Sequence, residues 1–259
     1  MAFGNAMLAR TLADAGAHAD ADTALTEAFT WLSRSSSEGS AFQTLAAESL
    51  IAGVRGRLPS AIALEQLDAM SHSPQTRWAA VAVVASTAFS LSHQGEAASA
   101  TMLLDQAVVG IERAPGYSPN YPLIAHFCAE AMWQLEATDH RDALETNLRA
   151  KVIEPDIRYP EALPRLAMAR LCALDGRIDE ARNWATACRR VVEDQDTPPL
   201  MLPVEHFEAE LELRLGPEGD PDLFRAAIAR GRAGCEDRAM TPWLDRLAAL
   251  ETRADNLWP

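Results

Sequence analysis

A glycine recurs along this chain about every forty residues, and in the clearest copies an alanine follows five positions later. The pairs are Gly16 with Ala21, Gly56 with Ala61, Gly95 with Ala100 and Gly176 with Ala181. In a fourth copy Thr138 stands in the glycine's place before Ala143, and Gly216 opens a degenerate last copy. A fixed period of this size means stacked units of supersecondary structure, each burying its apolar face against its neighbours.

Within a unit the apolar residues return at intervals of three and four, the helical period. In the fifth, Leu163, Leu166, Ala167, Arg170, Leu171 and Leu174 mark a first helix, and Ile178, Ala181, Trp184, Ala185, Cys188 and Val191 stripe a second. The glycine is expected to end the first helix in a left-handed conformation, and the alanine to let the two helices approach closely. Prolines, which cannot continue a helix, mark the joins at Ser73-Pro74, Ala114 to Pro122, Glu154-Pro155 and Thr197-Pro198-Pro199. A last helix from Pro242 to Ala254, with Trp243, Leu244, Leu247 and Leu250, reads as a cap. The expectation is an all-α chain, one domain over 1–259, with units near 1–38, 39–73, 74–120, 121–158, 159–200 and 201–239 and a capping helix over 240–259.

Composition agrees, with 49 alanines and only 6% aromatic residues favouring helix over sheet. A chain of 259 residues that is 48% hydrophobic buries a core without disulfides or metals. Cys128, Cys172, Cys188 and Cys235 show no metal-ligand spacing and are expected to be reduced core thiols. The net charge of −14 disfavours direct contact with nucleic acid or anionic lipid. The uncharged run from Trp78 to Gly95 is too polar for a lone membrane span, and reads as a helix buried on most sides. Arg10, Asp14 and Asp20 near the start argue against a secretory signal, so a cytoplasmic location is expected.

Several motifs are explained by structure. His140-Arg141-Asp142 with Asn147 fits a kinase catalytic loop, but the chain has no glycine-rich phosphate loop, no Asp-Phe-Gly, and its one lysine, Lys151, follows that segment. The six histidines contain no H-E-x-x-H and no two histidines four apart, so no metal and no cofactor are expected. Glu205, Glu208, Glu210 and Glu212 could supply two carboxylates for acid and base work, but Glu208 and Glu212, at helical spacing, read as a solvated face. Arg177, Arg182, Arg189 and Arg190 are interleaved with acids and read as an exposed, ion-paired helix instead of a DNA-reading one.

The glycine ending a first helix and the small residue early in the second, clearest in Gly176 with Ala181 and in Ala143 with Ala150 and Pro155, resemble the tetratricopeptide repeat superfamily. The longer period, with the tail Ala239-Met240-Thr241-Pro242-Trp243-Leu244, is similar to the sensor regions of bacterial LuxR-type regulators with a STAND ATPase and of ATPase-linked nucleotide cyclases. The resemblance implies a right-handed superhelical stack of about six helix pairs. It also implies a concave face that binds a protein, a peptide or a small effector, with no chemistry of its own. By that analogy the first helices line the groove, bringing Phe89, Met132, Leu135, Leu163, Leu166 and Arg170 into it. Arg170 among apolar neighbours would fix a ligand's carboxylate or phosphate, or else be paired to an adjacent acid. The alternatives from other classes are a helical enzyme or substrate-binding accessory with a pocket near Tyr117, Tyr121, His126 and Trp133, and an oligomerisation module, such as a homodimer, driven by Phe3 and Leu8.

Overall fold

The computed structural model describes residues 1–34, 37–72, 76–114, 118–155, 162–197, 200–233 and 240–258. It is 82% helical, with no strand among the described residues. The helices are α1 (Ala2–Asp14), α2 (His18–Leu32), α3 (Glu38–Val54), α4 (Ala61–Glu65), α5 (Leu67–Ser71), α6 (Arg77–His93), α7 (Ala97–Arg113) and α8 (Tyr121–Leu135). They continue with α9 (Arg141–Leu148), α10 (Ala162–Leu174), α11 (Ile178–Asp194), α12 (Met201–Arg214), α13 (Pro221–Ala233) and α14 (Thr241–Ala254). No described helix is long and apolar enough to cross a membrane.

The chain forms two kinds of helix. α1, α3, α6, α8, α10 and α12 pack one against the next in chain order, and α2, α7, α9, α11 and α13 each lie along the helix that precedes them. The inner helices touch neighbours on several sides, so α6, α8, α10 and α12 are buried over most of their surface. In α8 every residue from Tyr121 to Trp133 is buried, and in α6 almost every residue from Trp78 to Ser90. The outer helices bury only a stripe, Ala181, Ala185, Cys188 and Val192 in α11, because their other faces meet water.

The recurring glycines end inner helices as expected, Gly16, Gly56, Gly95, Gly176 and Gly216 all having φ between 61° and 83°. At Gly176 the chain closes a Schellman motif: the Arg177 amide donates to the Cys172 carbonyl at 2.9 Å and the Gly176 amide to Ala173 at 3.0 Å. The fourth copy differs from the sequence reading. The left-handed residue is Glu136, with φ 53°, and not Thr138. The reason is local: the Ala137 amide donates to the Met132 carbonyl at 2.9 Å, which satisfies the end of α8 two residues earlier than the glycine register places it. Ala21, Ala100 and Ala181 are buried at the pair crossings, but Ala61 is exposed. There the outer helix is broken into the short α4 and α5, and Ala63 is the buried small residue instead.

The joins Ser73-Pro74 and Pro198-Pro199, and residues Tyr117, Cys235 and Ala239, lie outside the described residues. Cys128, Cys172 and Cys188 are buried free thiols, and burial pushes each up to about 12. The last helix does more than cover one end. α14 packs on α12 and α13, yet its Trp243 indole Nε1 donates to the Val54 carbonyl at 2.8 Å and Arg246 Nη2 to the Gly56 carbonyl at 3.1 Å. The C-terminal helix therefore reaches back to the second and third helix pairs.

Candidate functional site

The inner helices converge on a buried cluster of charged and aromatic side chains. Its register is visible in the numbering: Glu130, Arg170 and Glu210 are each forty residues apart, one per inner helix on α8, α10 and α12. Around them α8 presents His126, Glu130 and Gln134, and α12 presents His206, Glu210 and Arg214, the same four-residue spacing on one helix face. His93 closes α6, and Trp243 and Arg246 enter from α14.

Glu130 and Arg170 form an ion pair with both side chains wholly buried. The other oxygen of Glu130 faces His93 Nε2 at 3.0 Å and accepts from Gln134 Nε2 at 3.2 Å. Arg170 donates to His126 Nδ1 at 3.3 Å and lies over the Phe207 ring. Glu210 accepts from Trp133 Nε1 at 2.8 Å and Gln134 Nε2 at 2.7 Å on one oxygen, and from Arg214 at 2.9 Å on the other. Trp243 packs against Phe89, His93 and His206, and the Arg246 guanidinium lies over both Phe89 and Trp243.

The pairing sets the protonation states. Burial by itself raises a carboxylate, but Arg170 and His93 hold Glu130 well below its usual range, and His206 and Arg214 lower Glu210. Burial pushes His126 down to about 3, helped by Arg170, and His206 down to about 4. Burial and the charge of Arg246 lower His93 as well. At neutral pH the cluster thus holds ionised acids and neutral imidazoles. The ligating atoms of Glu130, His206 and Glu210 all lie within 4.8 Å of one another, so among the described residues this group could hold a metal ion.

The residues expected to line a groove are all on inner helices. Phe89, Met132, Leu163, Leu166 and Arg170 are at most 1% exposed and Leu135 is half-buried. Phe89 and Arg170 join the cluster, whereas Met132, Leu163, Leu166 and Leu135 belong to the apolar core around it. Arg170 takes the pairing with a neighbouring acid, Glu130. Tyr121, His126 and Trp133 are also buried, and a histidine held neutral down to about 3 has no acid form to offer near neutral pH. Phe3 and Leu8 are each 50% exposed on α1.

One expectation fails outright. Glu212 is buried and Glu208 half-buried instead of solvated, and Glu205 and Glu210 are buried beside them, because α12 is an inner helix enclosed by α10, α11, α13 and α14. Glu205 pairs with Arg189 and Arg230, Glu208 with the same two arginines, and Glu212 with Arg182. Arg182 and Arg189 are ion-paired as expected, though to α12, and Arg177 pairs both with Glu180 and with Glu145 of α9 at 2.6 Å, while Arg190 is exposed. His140 faces Asp105 at 3.0 Å and Arg141 pairs with Asp142 and Asp175, so the kinase-like segment is a turn and helix start.

Sequence reasoning passed over Glu130, set His93 and His206 aside with the other histidines, and took Glu210 only as one of a run of acids. Their signal was the His-x-x-x-Glu spacing repeated at 126 and 206, two periods apart. On the outside, a cleft of about 630 Å³ opens where the broken outer helix leaves α6 and α7 uncovered, walled by Leu64, Leu67, Val84 and Val109 with Arg77 and Arg113 at its rim. No protein-family model matches this chain, and no curated protein or solved structure shows significant similarity to it.

Proposed function

We propose that this chain is a non-enzymatic helical-repeat module of the tetratricopeptide type, a right-handed superhelical stack whose inner face receives a helix from a protein partner, as the sensing or scaffolding part of a bacterial signalling regulator. The observation that carries this reading is that the inner helices α3, α6 and α12 already share contacts with one helix, the chain's own α14. That helix is amphipathic, with Trp243, Leu247, Leu250 and Ala254 buried on one side. Its anchor has the form of an interface hot spot, an indole in a desolvated pocket with its N–H bonded to the Val54 carbonyl. A partner helix would take the same place, and α14 keeps the face covered until then.

The test uses the full chain carrying Trp243→Ala and a labelled peptide spanning 241–254. The variant should bind the peptide at least tenfold more tightly than the unaltered chain, whose own helix competes at high effective concentration. A folded Trp243→Ala chain that ignores the peptide would remove the inner face as a helix receptor. Arg170→Ala is not a suitable probe, because it strands Glu130 in the interior. A second reading, self-association, is favoured by Met1, Phe3 and Leu8, which are all at least half exposed at the start of α1. Sedimentation of the Phe3→Ser, Leu8→Ser double variant tests it, since that variant should lower the mass of any oligomer.

A further inference from the structure

We propose that Glu130, His206 and Glu210 form a buried site for a single divalent first-row transition-metal ion, zinc being the match to this donor set, which ties α8 to α12. Two carboxylates and an imidazole are the ligand types that such ions take. Their donor atoms lie within 4.8 Å of one another, and ligands on one tetrahedral zinc sit about 3.4 Å apart, so side-chain movements of about 1 Å close the set.

A second observation points to a missing ligand. His206 is 3% exposed, and its Nδ1 has no hydrogen-bond partner, standing 3.8 Å from Glu210 Oε2. A buried imidazole nitrogen is costly to leave unmatched, and lone-pair donation to a metal satisfies it. The surroundings fit the outer partners of a metal site. Trp133 and Gln134 hold one oxygen of Glu210 and Arg214 the other, while Arg170 holds Glu130, each fixing a ligand's orientation. Arg170, Arg214 and Arg246 bring positive charge close to the site, which weakens its hold on a cation compared with an all-anionic set.

The site is independent of whether the inner face binds a partner, and it is tested without one. The full chain, stripped with chelator, is dialysed against Zn²⁺ and, separately, Co²⁺. One equivalent of zinc should be retained, with a raised Tm, and bound Co²⁺ should shift or broaden the ring-proton signals of His206 and leave those of the exposed His72 and His140 unchanged. His206→Asn and Glu210→Gln should each weaken zinc binding at least tenfold, whereas Glu208→Gln, on the same helix but outside the set, should not. Retention of less than a tenth of an equivalent would overturn the proposal. So would Co²⁺ perturbation confined to His72 or His140, a readout on the unaltered chain that stands even where the core variants fail to fold.

Discussion

Two sets of arginine–glutamate pairs hold this molecule together, and burial separates them. In the interior, Glu130 and Arg170 meet with no exposure at all, flanked by His93, His126 and Glu210. On the outside, Arg149 and Arg177 reach Glu180 at 3.0 Å and 2.6 Å and Arg232 pairs with Glu251, with arginine side chains 31–55% exposed and their glutamates 34–39%. The residue types are the same. In water the outer pairs gain little over solvation, so they set how adjacent helices sit. The interior pair cannot be broken cheaply, because either partner left alone is a charge in a medium that does not solvate it.

Removing one partner should expose this difference most strongly. Arg170→Ala is expected to cost about 3–5 kcal/mol in chemical denaturation, and the double change Arg170→Met with Glu130→Leu to recover most of it. A single-variant loss below about 1 kcal/mol would place the pair with the outer ones.

Acid should act on the interior next. His126 and His206 have folded values lowered to about 3 and about 4, so below their ordinary value of 6.5 the unfolded chain takes up protons that the folded chain refuses. Stability therefore falls as pH drops from about 6.5 toward 4, and lowered Glu130 and Glu210 extend the loss below their ordinary 4.5. Tm measured against pH should decline across that range, and His206→Gln should flatten the decline. A flat profile from pH 7 to 4.5 would contradict neutral buried imidazoles.

At the boundary between the two sets, Arg214 reaches inward to Glu210 and outward to Glu136 at 3.5 Å. Glu136 is exposed and left-handed, so Glu136→Gly should stabilise by about 0.4–1 kcal/mol, the relief of strain exceeding the lost surface pair. The smallest effect is expected outside: Arg232→Ala should cost less than about 1 kcal/mol, and the difference from the parent should shrink in high salt.

The helical architecture was legible because its signals are local. Gly16, Gly56, Gly95 and Gly176 end helices through their own backbone freedom, and the stripe in α11 follows from one exposed face. Where a turn depended on how carbonyls at a helix end were satisfied, the reading slipped, as at Glu136 against Thr138. The acids of α12 were misplaced for a related reason. A row of glutamates reads as solvated unless the arginines of α10, α11, α13 and α14 are known to surround it.

The amino-acid sequence by itself determined that the chain is helical and where most inner helices stop, since periodicity and glycine conformation act over a few residues. It also carried, unread, the forty-residue register of Glu130, Arg170 and Glu210. Tertiary packing alone decided that these three meet in the interior, that Arg170 faces an acid, and that Trp243 sits against a carbonyl 189 positions away. The sign of a burial energy depends on which partners arrive from distant helices, and no local pattern encodes that.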